Sequence, residues 1–397
     1  MTTPSTPATS GARLCAITAG VLTTAGQVVL LREILVLFAG FELAAGLTLG
    51  AWLLWTGLGS LGVGRLTAHR VPVSLATLGR LLAVLAPLLP ATLLAARAAR
   101  PLWGIPSGEL PGLGHMLGIC GLLPAGLCLV SGALFAACWS TATRAPRVGP
   151  LAIYLCEAAG ACLGGLLVTL VLLPSLPALD FTMGLAAAAA LLGLVLTRPT
   201  PHACSVPANT GPSTHPGQSP ASHSQVVSDT PSSADSSPGH DQQQTARSRT
   251  WRERHRRPGL LAWLPLLPAL ALIMAWPWRG DIDRASRLWQ WGPTVVTVRD
   301  TPYQNLALLE DHGHYSLFSG GAWAGSVPEP EAAEYAAHLA LLQHPAPAAV
   351  LVVGGASPDL IREMLRHPTL TRLDLVAPDP GVLALLRHVL PVDLLGP

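Results

Sequence analysis

The sequence contains no lysine, so all 24 of its basic residues are arginines. Charged residues make up only 12% and aromatic residues only 5% of the 397 positions, against a hydrophobic share of 50%. Without lysine, mechanisms that need a Schiff-base lysine or a P-loop lysine are excluded. So apolar and charge-poor a chain is untypical of soluble globular proteins and predicts a polytopic membrane protein.

The cysteines and histidines also lack a pattern typical of metal or disulfide sites. There are seven cysteines without a CxxC pair, and six of them lie in apolar segments, which predicts small core residues. No zinc site or disulfide framework is therefore expected. The histidines near the C-terminal end show no ligand spacing, so no metal is expected there either.

Seven apolar runs have about the 20 residues that a helix needs to cross a bilayer. They cover residues 14–39, 43–64, 74–97, 112–139, 151–173, 178–197 and 259–278. A short tail, residues 1–13, precedes the first run, and because a second run follows, we interpret the first as a retained helix rather than a signal peptide. The first six runs predict a six-span module over 14–197.

Residues 198–258 are dominated by small and polar residues and predict a disordered linker. The linker ends in the basic cluster 251–258, directly before the seventh run. That position favours a topology determinant touching anionic headgroups over a nucleic-acid site, so no nucleic-acid partner is expected.

The arginines in the loops predict which side of the membrane each loop faces, and one loop disagrees with the others. Arg65 and Arg70, Arg144 and Arg147, and the arginines of the linker predict that these loops and the N-terminus are cytoplasmic, whereas Arg97 and Arg100 favour the opposite. If the seventh run spans, the C-terminal region lies outside the cytoplasm. Its three prolines also allow a re-entrant or interfacial segment, so the side of the C-terminal region stays open.

Five ionisable residues lie in or beside the apolar runs and form the intramembrane polar candidates. Arg32, Glu33 and Glu42 flank the turn after the first run, and Arg80 and Glu157 fall within the third and fifth runs. Charges at membrane depth are costly unless paired or hydrated. One interpretation is a small polar site shared by the first, third and fifth helices. The other is that the first three residues lie at the interface and that Glu157 has one structural partner. Two GxxxG spacings, Gly46 to Gly50 and Gly160 to Gly164, are interpreted as helix packing.

From about residue 280 the composition becomes that of an α/β region. Short strand-like runs at 294–298, 305–310 and 315–318 predict a β-rich part over 280–345, with a helix at 331–343. In 346–397 an apolar strand runs into Gly354 and Gly355, and a helix and a second strand at 372–376 follow. Strand, glycine turn, helix and strand form the opening unit of a Rossmann-like nucleotide-binding fold, here with room for two parallel strands.

The end of the second strand is where an acid that binds a ribose is normally expected. Asp379 is the nearest candidate, two residues late. Asp379 followed by proline is equally typical of a helix start, and the sequence leaves both interpretations open.

Together these segments resemble the polyamine aminopropyltransferase (spermidine synthase) family over roughly 100 residues. The matching features are residues 301–305, the turn at 317–321, the helix at 331–345 with His338, the strand ending in Gly354-Gly355, the Arg362-Glu363 pair and the turn at 376–380. The segments 31–42, 51–55 and 154–165 are similar to the multi-span module fused to spermidine synthase domains in bacterial membrane-bound members.

The resemblance implies a transferase in the bacterial inner membrane, with a small β-rich part before a Rossmann-like, methyltransferase-type domain. Its reaction moves an aminopropyl group from decarboxylated S-adenosylmethionine, a co-substrate rather than a tightly bound cofactor, to an amine such as putrescine. By position, Gln304 contacts the nucleoside with Tyr303 beside it, His338 lies near the amine, and Gly354 and Gly355 form the nucleotide turn. The lipid bilayer, the amine and the nucleoside are the partners implied, and a homo-oligomer is left open.

This sequence departs from the family pattern at three places. Ser357 stands where the family has an acid in the glycine turn, with Asp359 two residues on, and Ala377 stands where the ribose-binding acid is expected. The family's catalytic Asp is expected beyond residue 397, so turnover by this chain is doubtful and the Rossmann-like part is expected to be truncated. The alternatives are a non-catalytic membrane protein that binds or transports a small cation, and an inactive fragment.

Overall fold

The computed structural model describes residues 7–68, 73–105, 109–143, 149–197, 267–354 and 357–391, which belong to one compact unit. A bundle of apolar helices is followed by a small sheet region. The predicted linker 198–258 and the first part of the seventh run, 259–266, lie outside the described residues.

The bundle consists of helices whose apolar residues form one core. Their bounds are α1 Pro7–Leu37, α2 Glu42–Ala68, α3 Leu75–Arg97, α4 Ala99–Leu102, α5 Leu113–Leu122, α6 Ala125–Thr143, α7 Pro150–Leu167, α8 Leu173–Ser175 and α9 Ala178–Thr197. A π-helical turn, Val168–Leu172, joins α7 to α8.

Six segments of the bundle are long and apolar enough to cross a membrane: Ser10–Leu37, Glu42–Leu66, Leu75–Arg97, Leu113–Thr143, Pro150–Ser175 and Ala178–Thr197. They coincide with the first six predicted runs. Uninterrupted apolar length is sufficient to find them, because a helix that crosses the bilayer needs about 20 consecutive apolar residues.

Close packing at glycines shows how the helices are oriented. Gly160 and Gly164 of α7 lie against Ile17 and Val21 of α1, so α1 and α7 run in parallel, and the GxxxG spacing from Gly160 to Gly164 packs two helices as predicted. At Gly46 and Gly50, no described residue lies within 4 Å of an added methyl group, so this spacing forms no such contact within the described part of the chain.

The second contact of this kind joins α3 and α9. Gly79 near the start of α3 lies against Gly193 near the end of α9, so these two helices are antiparallel. Gly11 and Gly26 of α1 lie against Leu75 and Leu89 of α3, so α1, α3 and α7 all begin at one end of the bundle and finish at the other. We call the end where they finish the sheet end, because the sheet region contacts it.

The described part of the seventh run is helix α10, Leu267–Ala275, followed by a 3₁₀ turn, Trp276–Trp278. Leu272 is buried in the bundle core, and Trp276 lies against Gly184 of α9. Arg279 then forms an ion pair with Asp180 at the start of α9, with Nε and Oδ1 3.4 Å apart. Helix α10 thus runs antiparallel to α9 and ends at the sheet end.

Helix α11, Arg279–Trp291, leads from α10 into the sheet region. The β-rich interpretation of residues 280–345 did not include this helix. Its polar residues Arg287 and Gln290 are buried against the bundle, while Leu288 and Trp289 are exposed. Apolar periodicity alone misses a helix that buries a polar face.

The first sheet is a four-stranded antiparallel meander in the order β1-β2-β3-β4. Its strands are β1 Val295–Asp300, β2 Asn305–Asp311, β3 His314–Ser319 and β4 Ala322–Val327. The first three match the predicted strands, whereas β4, with Gly325 and two alanines, lacks the β-branched signal of a strand. Gly321 in the β3–β4 turn has φ +88° and lies against the Val36 carbonyl, where an added Cβ would collide.

The last elements are α12 Pro330–Leu341, β5 Ala349–Val353, α13 Pro358–Leu365, β6 Arg372–Val376 and α14 Pro380–Val389. Strands β5 and β6 pair in parallel, with Val350 opposite Leu373. Ala337, Leu341 and Met364 form a small core between α12 and α13. Leu385 and Leu386 of α14 pack against Leu306 and Leu308 of β2, which joins the two sheets.

Candidate functional site

A cavity of about 280 Å³ lies between the two sheets, and we call it the sheet cavity. Its floor is apolar, with Leu308, Leu317 and Leu386 among the lining residues. Of the predicted site residues it brings together Gln304, Gly354, Ser357 and Asp379. An apolar pocket with a few convergent polar groups is typical of small-molecule sites.

The amide of Gln304 is held from both sides. Its Nε2 donates to Asp379 Oδ2 at 3.3 Å, and its Oε1 accepts a short hydrogen bond from the Ser319 hydroxyl. The β2 and β3 strands bring these groups together, because the Gly320 N–H donates to the Asn305 carbonyl in the same corner. The side chain that the sequence predicted to contact a nucleoside is thus fixed in orientation.

Asp379 follows β6 and serves as the N-cap of α14. Its Oδ1 accepts from the Gly381 N–H at 2.8 Å, and its Oδ2 accepts from the Thr301 hydroxyl at 2.7 Å as well as from Gln304. It is 3% exposed and lines the sheet cavity. The two interpretations of Asp379 are therefore compatible, because the residue starts the helix and borders the cavity. Ala377 also lines the cavity.

The turn after β5 contributes Gly354 to the wall of the cavity and Ser357 as the N-cap of α13. Gly354 has φ +83°, a conformation that favours glycine, and its N–H donates to the Val376 carbonyl at 2.9 Å. Ser357 lines the cavity and caps α13 by accepting from the Leu360 N–H at 3.1 Å. Gly355, the second glycine predicted for this turn, lies outside the described residues.

Three predicted residues do not line the sheet cavity. Tyr303 is 70% exposed and borders a different cavity, described next. Asp359 is 2% exposed and ties α13 to the start of α12, accepting from the Glu329 N–H at 2.7 Å and from Arg362 Nη1 at 2.6 Å.

His338, predicted to lie near the amine, instead faces α13 and the residues after it. Its Nδ1 lies 2.7 Å from Nε2 of His367, and its Nε2 lies 4.0 Å from the Glu363 carboxylate. The sequence could not reveal this pair, because the two histidines are on different elements 29 residues apart. In the described structure His338 joins two elements and has no contact with the sheet cavity.

A second cavity, of about 390 Å³, lies where the bundle meets the sheet region, and we call it the junction cavity. Val28, Val29, Leu172 and Leu173 form part of its apolar wall on the bundle side. Its polar lining comes from Arg32, Glu33, Asp300, Tyr303, Gln304 and Asn305. Gln304 therefore borders both cavities.

A buried network of charges fastens the bundle to the sheet region beside the junction cavity. Arg97, at the end of α3, is 1% exposed and lies 3.1 Å from Glu33 of α1 and 2.6 Å from Asp283 of α11. Glu33 also accepts from Gln290 Nε2 at 2.7 Å. Glu33 is thus 6% exposed and bound to two other helices, rather than solvated at a membrane surface.

Asp300 extends this network to the first sheet. It lies 2.5 Å from Arg287 Nη2 and accepts from Asn305 Nδ2 at 2.7 Å. Burial by itself raises the pKa of the Asp300 carboxyl, but Arg287, the Asn305 amide and the more distant Arg97 and Arg32 outweigh burial, so that the pKa lies below its ordinary value. Asp300 is therefore ionised at neutral pH.

The remaining intramembrane candidates differ from one another. Arg32 donates to the Thr301 carbonyl at 2.9 Å, which makes it part of the junction. Glu42 is exposed at the start of α2. Glu157 is half-buried on α7, and no described residue forms a hydrogen bond or ion pair with its carboxylate, so the structural partner considered for it is not found among the described residues.

Comparison with known proteins identifies one family for the C-terminal part. Residues 329–395 match the model of the spermine/spermidine synthase domain. The chain is 36% identical over 93 residues to a polyamine aminopropyltransferase of Moorella thermoacetica, which covers 23% of this chain and 33% of the relative. For the enzyme of Clostridium kluyveri the values are 30% over 118 residues, or 29% and 42%.

The polyamine aminopropyltransferase of Bacillus subtilis is similar at 34% identity over 99 residues, which is 24% of this chain and 36% of the relative. No solved structure matches the chain. The family resemblance inferred from the sequence is confirmed for the C-terminal part. The chain spans well under half the length of these curated relatives.

Proposed function

We propose, starting from the spermine/spermidine synthase domain match at residues 329–395, that the sheet cavity binds the adenosyl nucleoside of an aminopropyltransferase reaction. The observation that carries this proposal is the convergence of Gln304, Gly354, Ser357 and Asp379 on one cavity. In a doubly wound fold a nucleotide binds at the turn after the first strand and at the start of the following helix, and Gly354 and Ser357 stand at those two positions beside the cavity.

The reaction proposed for the family chemistry is a displacement at carbon. The nitrogen of an amine such as putrescine forms a bond to the aminopropyl carbon of decarboxylated S-adenosylmethionine, and the bond from that carbon to sulfur breaks. The electron pair returns to sulfur, which gives neutral methylthioadenosine, and the new ammonium group loses a proton. Positioning of the two substrates and a base for that proton are the two contributions a protein makes.

The described residues support binding better than turnover. Asp379 is the only carboxylate among the described residues that line the sheet cavity, and three donors already occupy it. A carboxylate so engaged is a poor acceptor for the proton of an attacking amine. We therefore expect this chain to bind the nucleoside with little or no aminopropyl transfer.

Calorimetry on the detergent-solubilised full chain tests the proposal, with methylthioadenosine and decarboxylated S-adenosylmethionine as ligands and a putrescine turnover assay on the same sample. Binding of both ligands without turnover is the expected result. If neither ligand bound, the proposed nucleoside site would be wrong. Rapid turnover would contradict only the argument that the Asp379 carboxylate is a poor proton acceptor.

We further propose that the chain is an integral protein of the bacterial inner membrane with the sheet region outside the cytoplasm. Helix α2 ends and α3 begins at the end of the bundle away from the sheet region, and α6 ends and α7 begins there too. Arg65 lies in the last turn of α2, and the stretches that connect these helices carry Arg70, Arg144 and Arg147. Arginine-rich loops favour the cytoplasmic side.

Arg97, which favoured the opposite orientation, is not a loop charge. It is buried between Glu33 and Asp283, so its role is to neutralise carboxylates within the protein rather than to contact headgroups. The seventh run, continued by α10 to the sheet end, supports a seventh span. With Arg97 explained in this way, the arginines of the other loops support a cytoplasmic location for the end of the bundle away from the sheet region.

A further inference from the structure

We infer that the junction cavity binds a membrane phospholipid whose headgroup carries both a phosphate and a hydrogen-bond donor. The cavity is walled by Val28 and Val29 of α1 and by Leu172 and Leu173 after α7. These residues belong to two of the six segments able to cross a membrane, and they lie in the halves of those segments nearer the sheet end, on the side where the lipid chains lead to the headgroups. The inference does not depend on nucleoside binding.

Arg32 supplies the site for the phosphate. Its guanidinium donates one hydrogen bond, to the Thr301 carbonyl, and forms no ion pair with a described residue. Four of its five N–H donors remain for a ligand. Since the other charges of the junction pair as Arg97 and Arg287 with Glu33, Asp283 and Asp300, Arg32 completes a network of three positive and three negative groups without touching a carboxylate.

The side-chain oxygen of Asn305 sets a second, independent requirement, which is a hydrogen-bond donor on the ligand. It is 5% exposed and lines the junction cavity, and its Oδ1 has no hydrogen-bond partner among the described residues. Because its Nδ2 donates to Asp300, the amide orientation is fixed and Oδ1 remains the free acceptor. A buried acceptor without a partner costs about 1–3 kcal/mol, so a ligand that donates to it is favoured.

A phosphate for Arg32 and a hydrogen-bond donor for Asn305 together distinguish between phospholipids. Phosphatidylethanolamine offers a phosphate and an ammonium donor, and phosphatidylglycerol offers a phosphate and hydroxyl donors. Phosphatidylcholine has the same phosphate but no donor in its headgroup. Leu176 lines the cavity and is 41% exposed, which makes it the apolar residue beside which the two acyl chains would leave the cavity.

The π-helical turn Val168–Leu172 supports this assignment, because such turns are frequent at functional sites. Here the turn ends at Leu172, which lines the cavity together with Leu173 and Leu176. An ordinary α-helical turn would direct a different set of side chains to the cavity.

Native mass spectrometry of the full chain in detergent, titrated with the three lipids bearing identical oleoyl chains, tests the inference. We expect phosphatidylethanolamine or phosphatidylglycerol to be retained about tenfold more tightly than phosphatidylcholine, as expected for one additional buried hydrogen bond. Arg32→Gln, which removes the charge that faces the phosphate, should weaken the retention of all three lipids. Ala178→Trp, which fills the cavity without altering any charge, should abolish the preference.

Each variant has a matched control. Arg299→Gln removes an exposed arginine of β1, and Ala188→Trp adds the same bulk to the exposed face of the same helix. Both should keep the retention and the preference of the parent chain. Equal retention of the three lipids, or a preference that survives Ala178→Trp, would overturn the inference. Displacement of the lipid by an equal concentration of water-soluble glycerophosphoethanolamine would also overturn it, because the apolar walls would then contribute nothing.

Discussion

At the residue scale, the Gln304 side chain is constrained at both ends of its amide. Asp379 and Ser319 fix both ends of its amide, and the residue borders both cavities. A side chain held in this way loses little entropy when a ligand binds, which is a general requirement of a preorganised site.

Gln304→Ala should weaken methylthioadenosine binding by about 5- to 100-fold, the equivalent of one lost hydrogen bond in a buried site. Calorimetry on the full chain measures the change. Gln343→Ala is a matched control, because Gln343 is exposed after α12 and should leave the affinity unchanged. Equal affinity in the Gln304 variant would exclude this residue from the site.

The lowered pKa of Asp300 predicts how the stability of the chain depends on pH. Because its folded-state pKa is lowered, the stability that it contributes is present above its unfolded pKa of about 4 and is lost as the pH falls below that value. Asp300→Asn should therefore cost about 1.5–3 kcal/mol at pH 7 and progressively less below about pH 4. Thermal unfolding between pH 3 and 7 measures this difference.

Asp311→Asn is the control for that series, since Asp311 is exposed on β2. Its unfolding temperature should stay close to that of the parent chain throughout. A difference between Asp300→Asn and the parent chain that did not shrink in acid would mean that the carboxylate charge is not the stabilising element.

At the scale of elements, the junction depends on α1, α3 and α11 meeting through Glu33 and Arg97. A buried ion pair that loses one partner leaves an uncompensated charge, which costs about 3–5 kcal/mol. Glu33→Gln should accordingly lower the unfolding temperature measurably, and the exposed Glu42→Gln should not. Comparable unfolding temperatures for the two variants would show that Arg97 is sufficiently neutralised by Asp283.

The elements also show what a sequence can predict. The six apolar segments and strands β1, β2 and β3 were found because apolar length and alternation are local signals. The approach of Glu33 to Arg97, 64 residues apart, is not local, and no periodicity predicts it.

The same limit applies to the candidate site. The resemblance grouped Gln304 and Asp379 because a family pattern carries long-range information that spacing lacks. It could not reveal that Thr301, Gly381 and Gln304 occupy the Asp379 carboxylate, nor that His338 would pair with His367. These outcomes depend on side-chain packing in three dimensions.

At the scale of the whole molecule, the orientation of the chain can be tested with fusions. Alkaline phosphatase, which is active only after export, should be active when fused after residue 391 and inactive when fused after Thr143, at the other end of the bundle. A green fluorescent protein fused at the same two positions should give the opposite pattern. The reverse result at both positions would put the sheet region in the cytoplasm.

The position of Gln304 between the two cavities has a thermodynamic consequence. A ligand that shifts this amide in one cavity changes the free energy of binding in the other, and linkage requires the effect to be equal in both directions. If the headgroup of a lipid strengthens nucleoside binding by some factor, the nucleoside must strengthen retention of that lipid by the same factor. The lipid composition of the surrounding leaflet would then act as an allosteric effector of the sheet cavity.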